Sequence, residues 1–137
     1  MAEAEVMRSR FVRATPTELA RQLSPERIVA AEGSFEVRSV RSEDGATVVI
    51  VGARGLSFDL RFEAREDGYY YTQVGEQGPF ESMETWVRYE RENEGSRVTL
   101  RSSVSLSLPL PFANRIAAWK RGGELDRALD ALASGLH

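Results

Sequence analysis

Between Ser34 and Leu108 apolar and polar residues alternate, in runs broken at Asp44-Gly45, Ala53-Arg54-Gly55, Asp67-Gly68, Gly78-Pro79 and Glu94-Gly95. A period of two marks half-buried strands, and short glycine-containing breaks join them as hairpins. The pattern predicts six strands in an antiparallel meander. Ahead of it, residues 5–13, EVMRSRFVR, predict one more strand with imperfect alternation. Two helix starts follow in tandem. Thr15 is placed to cap the first, with Pro16 at the first helical position and Glu18 at the capping-box position; Ser24 and Pro25 repeat the signal, and Gly33 ends it. After Pro111 the period becomes helical, with Ala118, Gly122, Leu125, Leu129, Leu132 and Leu136 forming a stripe. The predicted order is strand, two short helices, six strands and a long helix, in one α+β domain over residues 1–137.

Register assigns the faces. A two-residue turn at Asp44-Gly45 sets Arg41 opposite Val48, Ser39 opposite Ile50 and Val37 opposite Gly52. A turn at Ala53-Arg54-Gly55 sets Ile50 opposite Phe58 and Val48 opposite Leu60, and Glu94-Gly95 pairs Tyr89 with Leu100, Val87 with Ser102 and Thr85 with Val104. Opposite residues share a face. One face then collects Phe35, Val37, Val48, Ile50, Leu56, Phe58, Leu60 and Phe62 with Met83, Val87, Tyr89, Val98, Leu100, Val104 and Leu106. A sheet with one apolar face must cover it, and the C-terminal helix is the element large enough. Few polar residues join that face: Ser39, Thr85, Ser102 and, depending on the turn at 66–68, others from YYYT. A three-residue turn brings Tyr70 and Thr72 inward; a two-residue turn brings Tyr69 and Tyr71 inward instead.

Gly122 and Gly123 interrupt the helix at a cost of about 1 kcal/mol each relative to alanine. Either they leave room for a cavity, or they break or kink the helix or let it pack closely against a crowded core.

The order of elements, the segment ATPTELARQLSPERI and the run from Gly78-Pro79-Phe80 through Trp86 to GSRVTLRSSVSL before the last helix resemble the START-like (SRPBCC) superfamily. That superfamily includes lipid-transfer domains, Bet v 1 allergens, polyketide cyclases and coenzyme Q-binding proteins. The resemblance covers essentially the whole chain. It departs at Ala20 and Arg21, where the family carries a large aromatic. It implies a helix-grip fold, a curved antiparallel seven-stranded sheet wrapped around the C-terminal helix, with an apolar cavity between them. On that basis the cavity is expected to bind or carry a lipid, quinone or isoprenoid. Its expected lining is Phe58, Leu60, Phe62, Tyr70, Thr72, Thr85, Val87, Ser102, Val104, Ala118, Gly122 and Leu125, with Leu110 and Phe112 near the entrance.

Composition narrows the chemistry. The 137 residues contain no cysteine, which excludes disulfides, thiolate catalysis and cysteine-ligated metal, and a net charge of −3 with interspersed signs argues against nucleic acid. No apolar run is long enough to span a membrane and no secretory signal is visible, so a cytoplasmic protein without stable membrane insertion is expected. The one histidine, His137, is the last residue, and no metal-ligand spacing or phosphate loop is present. No cofactor or metal is expected. The paired carboxylates of FEAREDG and YERENEG lie at hairpin tips, where solvation is the ordinary explanation and no burial tunes them. This disfavours an enzyme of the cyclase kind, although an ionisable group inside the cavity would revive it. Trp86 falls on the outer face and offers a third reading, a protein-interaction module or homodimer contact.

Overall fold

Local signals place the helices as expected. The computed structural model describes residues 4–53, 55–75, 80–106 and 112–135. Its elements are β1 (Ala4–Val12), α1 (Pro16–Gln22), α2 (Pro25–Glu32), β2 (Glu36–Glu43), β3 (Ala46–Ala53), β4 (Leu56–Arg65), β5 (Gly68–Val74), β6 (Ser82–Glu92), β7 (Gly95–Ser105) and α3 (Ala113–Ala133). The Thr15 hydroxyl accepts the Glu18 backbone N–H, and Ser24 accepts that of Arg27. Each satisfies one of the N–H groups a helix start leaves unpaired. Gly33, with φ of 79°, ends α2 in the left-handed region.

The strands form one antiparallel sheet in the order β1-β7-β6-β5-β4-β3-β2. It is the predicted meander with β1 added beside β7. The sheet's apolar face curves around α3, which packs on β1, β7 and α2. Between them lies a core that includes Leu19, Val49, Val51, Phe62, Val87, Val98 and Leu125.

Three hairpin registers differ from expectation, and only some of the differences change a face. Ala53 pairs with Leu56, so two residues rather than three make the β3–β4 turn; Val49 then opposes Leu60 and Val51 opposes Phe58. This one-residue slip puts Val49 and Val51 on the inner face in place of Val48 and Ile50. Val48 is still buried, on the outer face, flanked by Arg41 and Arg61, whose aliphatic stems can cover it. Ser39, expected inside, is exposed. A bulge between Val37 and Ser39 flips the strand, so Val37 pairs with Val51 rather than Gly52 while Ser39 and Arg41 face out. The β6–β7 turn sits at Asn93-Glu94, with Asn93 at φ 53°, so Tyr89 pairs with Val98 and Thr85 with Ser102. That slip is two residues and leaves every face unchanged.

The β4–β5 turn has two residues, with Arg65 paired to Gly68. It therefore turns Tyr69 and Tyr71 inward, and Tyr70 and Thr72 outward. Gly68 is required here by close approach as well as by conformation. Its φ is +151°, and a Cβ would lie 1.7 Å from the Val87 carbonyl oxygen.

Candidate functional site

Helical phase puts a charged residue in the middle of the buried side of α3. Arg121 follows Ala117 by one turn and precedes Leu125 and Ala128, and all four are buried. Its guanidinium is 2% exposed and meets a complete set of acceptors. Nη1 donates to Glu32 Oε1 at 2.6 Å and to Glu124 Oε1 at 2.8 Å. Nη2 donates to the Tyr71 hydroxyl at 2.5 Å and Thr85 Oγ1 at 2.9 Å, and Nε to Ser102 Oγ at 3.1 Å. The Tyr71 hydroxyl in turn donates to Glu32 Oε2. Each partner comes from a different element: Glu32 from the last turn of α2, Tyr71, Thr85 and Ser102 from β5, β6 and β7, and Glu124 from α3 itself.

Such a cluster survives burial only because its innermost polar atoms are paired. Among the described residues no side-chain nitrogen or oxygen that is wholly shut off from solvent lacks a partner. Burial opposes the charge on Arg121, but Glu32, Tyr71 and Glu124 outweigh it and raise the guanidinium well above its ordinary range. Burial also pushes the Tyr71 phenol far up, against the opposing influence of Arg121. The Phe62 ring stacks on Tyr71 with centroids 4.2 Å apart and helps to fix it.

This cluster and the aliphatic core fill the space between the sheet and α3. Two voids border it, of about 10 and 20 Å³, room for a single water at most. Among the described residues a larger open volume lies at one end of the helix grip. A cleft of about 740 Å³ is walled by Phe35, Leu56, Phe80, Leu106 and Ile116, with Ala117, Lys120 and Glu124 along its helix side. Phe35, Phe80 and Glu124 also border the 20 Å³ void that reaches Arg121 and Glu32. Glu124 thus stands between cleft and cluster. Its Oε1 takes the bond from Arg121, and its Oε2 has no hydrogen bond among the described residues.

The expected lining residues do not stay together, and none of them lines this cleft among the described residues. Phe58 and Leu60 border the 20 Å³ void and Val87 the 10 Å³ void. Thr85 and Ser102 belong to the polar cluster, while Phe62, Val104 and Leu125 are buried and Ala118 packs against the core. Tyr70 and Thr72 do not face inward. The Tyr70 hydroxyl donates to Glu84 at 2.7 Å on the outer face, its phenol is pushed up to about 12 by burial and by that bond, and Thr72 pairs with Glu84 across the strands. Phe112 is exposed, with the Arg115 guanidinium over its ring. Leu110, Leu136, His137 and the expected turn at Gly78-Pro79 lie outside the described residues.

Gly122 faces β1 rather than the cleft. The helix runs unbroken through both glycines, and a Cβ at Gly122 would stand 2.7 Å from Arg8 Nη2 and 3.4 Å from Val6 Cγ2. Close packing of α3 on β1 is what this glycine permits. Gly123 has only Arg127 Nη1 nearby, at 3.7 Å, and needs no such allowance.

On the outer face Trp86 carries the Arg101 guanidinium at 4.1 Å from its ring centroid and packs beside Tyr70 at 5.3 Å. It borders a shallow groove of about 240 Å³ with Met7, Arg88, Arg97 and Arg101. Among the described residues no group of acidic or histidine side chains is arranged to hold a metal ion.

No protein-family model matches the chain, and no curated protein matches it in sequence. Solved structures do match in fold. TTHA0849 from Thermus thermophilus superposes with a TM-score of 0.75 at 19% identity, over 96% of this chain and 95% of that one. A START superfamily protein from Mycobacterium smegmatis gives a TM-score of 0.68 at 15% identity, over 95% and 94% of the two chains. Ara h 8.0201 gives 0.59 at 16% identity, over 97% and 99%. The sheet, its seven-strand order and the gripped C-terminal helix are those of the START-like helix-grip fold.

Proposed function

We propose that the protein binds a small, largely apolar molecule in the cleft at the open end of the helix grip. The observation that carries this is the cleft itself: about 740 Å³, within the range of small-molecule sites, with apolar walls and few polar groups. Burial of apolar ligand surface against Phe35, Leu56, Phe80, Leu106 and Ile116 supplies the affinity. Lys120 and Glu124 orient whatever polar group the molecule carries. Lipids, quinones and isoprenoids are the classes of the right size and polarity, and helix-grip neighbours such as the Mycobacterium smegmatis START superfamily protein support the choice.

Of the interior cluster only Glu124 reaches the cleft. Its carboxylate already holds Arg121, the other ionisable groups bond to one another behind it, and no second acid lines the cleft among the described residues. That favours a binder over a cyclase-like enzyme. Trp86 has Arg101 and Tyr70 against its ring, which makes the outer face a weaker candidate for the main activity.

Native mass spectrometry of the purified protein, followed by organic extraction, tests the reading. We expect a bound apolar molecule, or uptake when fatty acids, isoprenoid alcohols and quinones are offered. Leu56→Arg, which charges the wall, and Ala53→Trp, which fills the cleft from a half-buried wall position, abolish uptake while circular dichroism stays native. A protein that remains free of ligand in every offer, or takes ligand equally in both variants, overturns it.

A further inference from the structure

The cleft opens beside the most exposed apolar surface of α3. Trp119 is 80% exposed, Phe112 60% and Ile116 56%. At 3.6 residues per turn these three fall within an arc of about 60°, opposite the side that packs on the sheet. Arg115 projects from one edge of that arc and Lys120, the chain's only lysine, from the other. Neither cation has an ion pair among the described residues; Arg115 lies over the Phe112 ring instead. From Phe112 to Gly123 there is no acidic residue, in a chain whose net charge is −3.

We propose that this part of α3 docks on an anionic membrane surface. An apolar stripe with tryptophan on it, bordered on both edges by cations, is the arrangement that lies in a bilayer interface: the aromatic and aliphatic groups enter the headgroup boundary while the cations stay with lipid phosphates. No described helix is long and apolar enough to cross a membrane, so contact is confined to the surface. Self-association fits less well. Two stripes face to face would bring the Arg115 and Lys120 edges of both copies together, like charge against like. Ile116 lies both in the stripe and in the cleft wall, so docking turns the cleft mouth toward the bilayer. The docking surface stands on the helix alone; its service to the cleft rests on the ligand-binding reading.

The test uses the full chain carrying Trp86→Phe, which leaves Trp119 as the sole tryptophan. Mixed phosphatidylcholine–phosphatidylglycerol vesicles at low salt should shift its emission to the blue and carry the protein down on sedimentation. Binding should weaken about fivefold in Arg115→Glu for each charge unit lost, fall with added salt, and disappear in Trp119→Ser/Phe112→Ser. These substitutions sit on exposed side chains, and the fold is checked by circular dichroism. Unshifted emission with anionic vesicles overturns the proposal. So does a vesicle-free dimer that Trp119→Ser dissolves, because the stripe then belongs to a second copy. Ligand uptake is measured on the same Trp119→Ser/Phe112→Ser variant by native mass spectrometry. Uptake without vesicle binding in the parent chain sinks docking alone, whereas vesicle binding without uptake sinks only the ligand reading.

Discussion

Arg121 Nη1 lies 2.6 Å from Glu32 Oε1 although 89 residues separate the two in the chain, and this pair ties the end of α2 to the middle of α3. Two carboxylates and a phenol share the one guanidinium. Removing the cation alone therefore leaves Glu32 and Glu124 buried without a counter-charge. Arg121→Met should cost about 3–5 kcal/mol of folding stability, and the triple variant Arg121→Met/Glu32→Leu/Glu124→Leu should recover most of it. Urea denaturation of the three proteins measures both steps. Equal stability of the single variant and the parent would mean that water reaches the cluster.

How much of this was legible beforehand depends on which physical signal carried it. Caps at Thr15 and Ser24, the alternation of β4, β6 and β7 and the apolar stripe of α3 are local signals, and they placed the elements. Register was weaker, because a bulge or one extra turn residue inverts a strand; Val48, Ile50, Ser39, Tyr70 and Thr72 were misplaced for that reason alone. The buried cluster was missed because charged residues are ordinarily assigned to solvent. A signal was nevertheless present. Arg121 is in phase with Ala117, Leu125, Ala128 and Leu132, and Glu32 immediately precedes the helix-ending Gly33.

The glycine pair splits into two opposite expectations. At Gly123 a Cβ meets only an ordinary contact, so Gly123→Ala should stabilise the protein by about 1 kcal/mol through helix propensity. At Gly122 the added atom must displace the far end of the Arg8 side chain and press toward Val6. Gly122→Leu should cost about 1–3 kcal/mol by forcing α3 off β1. Thermal melts of both variants decide; a stabilising Gly122→Leu would show that the helix has room there after all.

Alkaline pH should loosen the fold through Tyr71. Burial raises its phenol well above the ordinary tyrosine value of about 10. Below that pH the phenol is neutral in both folded and unfolded chains, and its contribution to stability is fully present. Above it the unfolded chain releases the proton while the folded one holds it, so stability falls as pH rises, by at most about 1.4 kcal/mol per unit for this one group. Tyr69, Tyr70 and Tyr89 are also raised, chiefly by burial, and add to the slope in parent and variant alike. Tyr71→Phe should lower stability near neutral pH, where it strips a bond from both Glu32 and Arg121, yet show a shallower decline above pH 10. Parallel slopes in denaturation midpoints would place the proton loss elsewhere.

Glu124 should set which polar head the cleft prefers. Its Oε2 has no hydrogen bond among the described residues, and Glu124 lines the cleft together with Lys120, one turn earlier on the helix. A hydroxyl or amine head can donate to that oxygen, and a charge-assisted bond of this kind is worth about 1.5–3 kcal/mol. Fatty alcohols or amines should therefore bind about tenfold or more tightly than methyl esters of the same chain length. Glu124→Gln should narrow that gap while also destabilising the fold, since Arg121 loses an ionic partner. Displacement of a fluorescent apolar probe measures the series at fixed chain length. A preference for fatty acids that Lys120→Met abolishes would instead assign head recognition to the lysine, with Glu124 left to hold Arg121 in place.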